Sequence, residues 1–362
     1  MKKRCIIVLL IGVLFMAGGC RFEETIPESK YHEYPPVEKD KMQDEDKTEK
    51  ELIGSGQSTT NPNIQQQSQD DMRDTTFYYQ DKEGLLIPIT RKMDRIEGIG
   101  RAAILALVDV SVIREDIGRI GLYPVLPTNV EIKGMSINDG LAVVDFNKYI
   151  ALGYTDKRQE QNILHAIVYT LTEFHTIDEV QILIDGEKYE SLRFGCPIDV
   201  PLRREGINTL IENEDIHNDD ALEQVEIYFT KIVDGHYLYY VPISTTIQNV
   251  TGDVERYTKT IKALLKGNPN TRGLKTYIPD DTVIKGIEVE GQTIILDFDE
   301  KILSAPKSDA DLEKMLDQII LCFRQFDQIS KVSVTANGKM LEVPGKYEGQ
   351  QVIDVPMYVN QF

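Results

Sequence analysis

The chain has 362 residues, enough for two domains of ~100–150 residues each rather than one core. Its 59 acidic and 40 basic side chains give a net charge of -19 and a pI near 4.8. A chain so acidic repels phosphate backbones, and its one tight basic cluster, Lys2, Lys3 and Arg4, lies at the extreme N-terminus, so nucleic acid is excluded as a partner.

That basic cluster opens "MKKRCIIVLLIGVLFMAGGC", in which an apolar run from Cys5 to Met16 leads to Ala17, Gly18, Gly19 and Cys20. The apolar run is about 12 residues, below the roughly 17–25 of a membrane-spanning helix, so the segment reads as an export signal. Small residues before a cysteine resemble the lipobox of bacterial lipoproteins. On that resemblance residues 1–19 are removed and Cys20 becomes the lipidated N-terminus. The mature chain then keeps Cys196 and Cys322, which fall in different halves. Two thiols in an exported protein are able to pair, but Cys322 sits on the apolar face of a predicted helix and reads as a buried, inert thiol.

Residues 20–76 carry fourteen acidic and seven basic side chains, with apolar residues scattered singly. Such a segment cannot bury enough surface to fold alone and is expected to form a disordered tether. Its root-mean-square reach is about 40 Å, at ~5–6 Å times the square root of residue number.

The remainder is written twice. "PTNVEIKGMSINDGLAVVDFN" from Pro127 aligns without gap on "PDDTVIKGIEVEGQTIILDFD" from Pro279, an offset of 152 residues that holds from Pro127 to Glu187. "LLIPIT" at Leu85 matches "YYVPIS" at Tyr239, and "IDVP" occurs at Ile198 and Ile353. Repeats of this length fit independent domains rather than solenoid units. The expected boundaries are 77–203 and 225–362, with 204–224 as a polar, acidic linker in which a helix from Ile207 is an open alternative.

In each unit the spacing predicts a strand pair turning at Asp81 to Gly84 or Asp234-Gly235, then a helix over 99–110 or about 254–266. A hairpin tipped by Asn138-Asp139-Gly140 or Glu290-Gly291 follows. Next comes a longer amphipathic helix, with Ile163, Leu164, Ile167, Val168, Leu171 and Phe174 in one copy and Met315, Leu316, Ile319, Ile320, Phe323 and Phe326 in the other. Arg158, Gln159, Glu160 and Gln161, and likewise Glu313, Lys314 and Gln318, mark the solvated faces. A strand and the "IDVP" piece close each unit, the proline suiting a sheet edge. The class is α+β: a tandem duplication of a small α/β sandwich unit in ββαββαβ order, with helices on one face of a sheet.

No P-loop, G-x-G-x-x-G, G-x-S-x-G, H-E-x-x-H or C-x-x-C occurs, and His32, His165, His175, His217 and His236 are dispersed. No catalytic, cofactor-binding or metal-ligating set is therefore expected. Asp145 and Asp297, at equivalent strand ends, are the best acid/base candidates. Alternation also points them away from the core face of Ala142, Val144 and Phe146, which gives them a purely structural reading.

"LLIPITR", "AAILALV", "LPTNVEIKGMSINDGLAVVDF" and "AIVYTLTEFHTIDEVQILIDG", with the second copy, resemble the GerM family of sporulation and spore-germination lipoproteins with two tandem GerM domains. The resemblance covers about Thr76 to Phe362. It implies a domain similar to ring-building motifs, and a non-enzymatic envelope lipoprotein anchored on the outer face of the cell membrane. Such a protein would act as an interaction module with protein subunits of a mother cell–forespore membrane complex. The alternative is a lipoprotein that binds or remodels the peptidoglycan of the spore cortex.

Overall fold

The computed structural model describes residues 72–96, 98–209, 222–267, 272–304, 306–342 and 345–362. The signal segment, Cys20, the tether up to residue 71 and most of the linker, 210–221, lie outside the described residues.

The first unit opens with a hairpin, β1 (Met72–Gln80) and β2 (Leu86–Asp94), paired antiparallel with Tyr78 opposite Pro88. The helices α1 (Ile99–Leu105) and α2 (Ser111–Gly118) follow. Next is β3 (Ile132–Asn138), then β4 (Gly140–Phe146), α3 (Lys157–Leu171) and β5 (Ile177–Ile184). β3 runs antiparallel to β4, and β4 parallel to β5, so α3 is a crossover helix.

The second unit repeats this plan with β6 (Leu222–Val233), β7 (Tyr237–Gln248), α4 (Asp253–Lys266) and the short β8 (Leu274–Lys275). β9 (Ile284–Glu290), β10 (Thr293–Phe298), α5 (Asp309–Leu321), β11 (Lys331–Ala336), β12 (Lys339–Met340) and β13 (Ile353–Asp354) complete it. The duplicated α+β class is what the structure has.

Local chemistry fixes the equivalent elements in both copies. Asp156 caps α3 by accepting from Gln159 N at 2.9 Å, and Ser308, 152 residues on, caps α5 by accepting from Asp311 N at 3.2 Å. The first hairpin tip places both Asp139 (φ 48) and Gly140 (φ 80) in the left-handed region, the geometry of a tight two-residue turn. Gly267, which ends α4, has an ordinary φ of -56; its lack of a side chain matters because a Cβ there would stand 2.4 Å from the Phe229 ring.

Four expectations need correction. The strand pair is not part of one sheet with the later strands: β1-β2 and β7-β6-β8 are separate from β3-β4-β5 and from the sheet holding β9 to β13. Helices lie between the two layers, α3 touching both β1 and β5, and α4 touching β6, β7 and β9. The other face of the hairpin is covered by the chain from Ala106 to Asp116, Tyr79 donating its hydroxyl to Ala106 O at 3.2 Å, so Thr75 to Tyr79 and Leu86 to Thr90 are buried at every position instead of alternately.

The helix expected over 99–110 stops at Leu105: Ala106 and Leu107 form a turn, and Val108 is buried in a bridge to Leu126. The boundaries also move: β1 starts at Met72, inside the expected tether, and Arg204 to Asn208, assigned to the linker, pack into the body, with Ile207 and Asn208 buried. Finally, Glu160 and Gln318 are not on solvated faces; both are fully buried.

Each buries its polar group against main chain that lacks a partner. Glu160 accepts from Phe194 N at 2.6 Å and Cys196 N at 2.8 Å, pinning the loop after β5. Gln318 accepts from Tyr277 N at 2.8 Å and donates to Tyr228 O at 3.0 Å. Burial of such groups is tolerated because their hydrogen bonds are made.

Candidate functional site: the junction between the repeats

The two hairpins meet edge to edge, β2 beside β7. Pro88 and Pro242 occupy equivalent positions on these facing edges, and a strand edge lacking N–H groups cannot build a regular ladder. Two asparagine side chains replace it. Asn208 accepts from Leu86 N at 2.8 Å and donates to Leu86 O at 2.7 Å and Pro242 O at 2.9 Å. Asn360 accepts from Tyr240 N at 2.9 Å and donates to Tyr240 O at 2.9 Å and Pro88 O at 2.8 Å.

The backbone crosses over as well. Ser244 N of the second unit donates to Ile207 O of the first, at 2.9 Å. In return Thr90 N donates to Asn360 O at 3.1 Å, Thr90 Oγ1 to Val359 O at 2.9 Å, and Phe362 N to Thr90 O at 3.0 Å. Each unit's tail is held by the other unit, so the repeats form one body.

Beside this clamp lies a half-buried ion cluster. Arg204 reaches Glu173 Oε1 at 2.9 Å, Arg324 reaches Glu173 Oε2 at 2.6 Å, and Tyr78 donates its hydroxyl to Glu173 Oε1 at 2.9 Å. Arg204 also donates to the Tyr78 hydroxyl at 2.9 Å and lies 4.4 Å from the centre of the Tyr169 ring. Burial pushes the Glu173 carboxyl up, but Arg324 and Arg204 outweigh it and hold the pKa below the ordinary value. Glu226 is more loosely held, 3.9 Å from Arg204.

The cluster breaks the repeat's symmetry. Gln325 stands where the first unit has Glu173, and it turns to the main chain of Glu226, accepting from its N at 2.9 Å and donating to its O at 2.7 Å. Tyr228, the counterpart of Tyr78, therefore has no carboxylate to donate to. A cavity of about 750 Å³ opens here, lined by both units.

The sequence's own candidates lie elsewhere, each inside its own unit. Asp145 Oδ1 accepts from Gly186 N at 2.8 Å. Asp297 Oδ1 accepts from Gly338 N and from Thr335 Oγ1, both at 2.7 Å. They hold equivalent turns after β5 and β11, and these contacts lower the Asp297 pKa, the Thr335 hydrogen bond most. Cys196 and Cys322 are both free and buried, and burial pushes each thiol up to about 12. Among the described residues no group of three His, Cys, Asp or Glu side chains is placed to hold a metal ion, and no helix is long and apolar enough to cross a membrane.

Sequence reasoning missed Asn208 and Asn360. They lie beyond the ungapped block, yet they keep its offset of 152 residues, each after a β-branched residue, Ile207 or Val359. That recurrence is the signal that marks them. Nothing comparable announces Arg204, Glu173 and Arg324, which have no repeat partners of the same type.

Comparison with known proteins agrees with the duplicated architecture. A family model described as "Germane: Sporulation and spore germination" matches residues 76–190 and again 226–342. The spore germination protein GerM of Bacillus subtilis (strain 168) is 27% identical over 290 residues, spanning 78% of this chain and 77% of that protein. The solved structure of the tandem GerMN domains of the sporulation protein GerM from Bacillus subtilis superposes with a TM-score of 0.67 at 26% identity, covering 80% of this chain and 99% of that one. With one match in each of two clamped repeats, the chain belongs to the Germane family of sporulation and spore-germination proteins.

Proposed function

We propose that this protein is a lipid-anchored, extracytoplasmic interaction module that supports assembly of a membrane complex during sporulation and serves later in germination. The observation that carries this reading is the junction. Tails exchanged between the repeats, and two asparagine clamps, hold two similar domain surfaces in one fixed geometry. A body of that kind presents two related surfaces to a repeated partner without the entropic cost of orienting them at each encounter. Membership of the Germane family supports the sporulation setting.

Its role is non-enzymatic in this proposal. Asp145 and Asp297, the carboxylates best suited by sequence to acid/base work, are spent on turns. The export signal and Cys20 supply the anchor, and the acidic segment after Cys20 supplies the stand-off from the membrane.

Crosslinking of the tagged full-length chain in sporulating cells tests the proposal. Capture of membrane-complex protein subunits, lost in Cys20→Ala, is the expected result. Capture of glycan strands with no protein partner would overturn it in favour of a role on cortex peptidoglycan.

A further inference from the structure

Among the ion pairs of the described residues, only Lys231 with Asp81 has both side chains at most 5% exposed, 5% and 1%. Asp81 lies in the turn after β1 of the first unit and Lys231 within β6 of the second, each three residues after the equivalent tyrosines, Tyr78 and Tyr228. A residue and its repeat counterpart therefore meet, one an amine and the other a carboxyl. Withdrawing both charges from water is costly, and their attraction offsets the cost only when the remaining hydrogen bonds are also made. Here Asp81 Oδ2 makes no hydrogen bond, although Lys231 Nζ touches it. An amide in place of the two ions would carry no charge.

The surroundings make the two Asp81 oxygens unlike. Oδ1 accepts from Glu83 N and Leu85 N, both at 2.9 Å, a pair of main-chain donors placed as in an oxyanion hole. Oδ2 faces Lys231 Nζ, which donates to Glu83 Oε2 and, at 2.5 Å, to Arg272 O. A nucleophile, a carboxyl carbon, two oxyanion donors and a second carboxylate thus converge at one buried point, which is what acyl transfer requires. Asp81 also lines a cavity of about 480 Å³, a way out for a released water.

We propose that Lys231 Nζ and Asp81 Cγ form an amide bond that joins the two repeats covalently. One Nζ proton passes to Oδ2, turning the ion pair into an amine and a carboxylic acid. Nζ then adds to Cγ, and the N–H groups of Glu83 and Leu85 hold the negative charge that develops on Oδ1. Glu83 takes a second proton from Nζ and delivers it to Oδ2. The Cγ–Oδ2 bond breaks and one water leaves, while the third proton stays on the amide nitrogen and keeps the hydrogen bond to Arg272 O. Contact between the reacting groups at a fixed site speeds a condensation that is slow between free side chains. No oxidant, metal or other co-reactant enters the balance. The bond is independent of the assembly role, because it forms within the chain whatever the body contacts.

The test is tryptic digestion of the purified, urea-unfolded full chain, followed by mass spectrometry of the peptides. The expected product is the peptide holding Asp81 joined to one in which Lys231 is uncut, the pair lighter by one water than the two separate peptides. Most of the chain should be in this form. Recovery of Asp81 and Lys231 only in separate peptides would overturn the proposal, and this measurement needs no variant to fold.

Two variants test the assigned roles. Lys231→Arg keeps a cation beside Asp81 but has no amine, so it should give no linked pair. Glu83→Gln leaves the Glu83 N–H in place and changes a side chain that is 39% exposed, so the chain should fold as before. Its linked fraction in freshly made protein should fall at least tenfold, as expected when a proton-transferring group is lost. Equal linkage in Glu83→Gln would contradict the proton route, and a linked pair in Lys231→Arg would contradict the assigned nucleophile.

Discussion

Asn208 and Asn360 stand 152 residues apart and make the same three hydrogen bonds, each to both edges of the seam between the repeats. Both are held at positive φ, 53 and 50, a conformation that asparagine tolerates better than other side-chain-bearing residues. A duplication that keeps two such residues in step has kept the seam itself as a repeated feature.

Replacing Asn208 by Ala orphans Leu86 N, Leu86 O and Pro242 O and strains the backbone. At roughly 1–3 kcal/mol for a buried group left unpaired, with water reaching part of the seam, the expected loss is about 2–4 kcal/mol. Asn360→Ala should cost less, since Asn360 is only half-buried. Urea unfolding of the two variants checks the order.

Lys231 of β6 is buried, with its side chain 5% exposed, and forms ion pairs with Asp81 and Glu83 in the first unit's opening turn. It also donates to Arg272 O at 2.5 Å. Lys231→Met leaves the Asp81 carboxylate, 1% exposed, without its cation, which should cost roughly 3–5 kcal/mol. Adding Asp81→Asn should recover part of that loss, a coupling that a double-mutant cycle measures.

Glu160 controls the chemistry of a neighbouring cysteine. Its carboxylate holds Phe194 N and Cys196 N, and burial, then Glu160 itself, keeps the Cys196 thiol up at about 12. At neutral pH the folded chain should react slowly with a thiol-specific reagent at both Cys196 and Cys322. Glu160→Ala frees the loop and should speed labelling of Cys196 at least tenfold while leaving Cys322 unchanged, as mass spectrometry of the labelled peptides would show.

The stability of the body should fall on mild acidification through His165. Burial lowers its pKa from 6.5 to about 4, so between these values the unfolded chain binds the proton that the folded chain refuses. The stabilisation is complete above the unfolded value and is lost as pH drops from 6.5 towards 4. The ring is partly exposed, which limits the effect to roughly 2–3 kcal/mol. His165→Phe should flatten the dependence over that window in urea titrations at stepped pH.

Much of this architecture is legible in the sequence because it rests on local patterns. The apolar faces of α3 and α5, the caps at Asp156 and Ser308 and the glycine-bearing hairpin tips each declare themselves within a few residues. α2 does not: it is two turns long, only Ile117 of its residues is buried, and its N-cap Val110 makes no side-chain cap, so no capping residue signals a helix. Glu160 and Gln318 misled because a polar residue on a helix is ordinarily solvated; here it serves main-chain groups brought from distant sequence. The junction cavity was illegible for the same reason. Its ion cluster joins Glu173, Arg204 and Arg324, which no local pattern brings together.

The two repeats behave as one body through exchanged tails. Calorimetric unfolding of the full chain tests it most directly, comparing the measured enthalpy with the van't Hoff enthalpy of the transition. One cooperative transition with matching enthalpies is expected, splitting into two when Asn208 and Asn360 are both replaced by Ala. Two separate transitions in the unmodified chain would contradict the account, since each repeat would then fold and unfold without its neighbour.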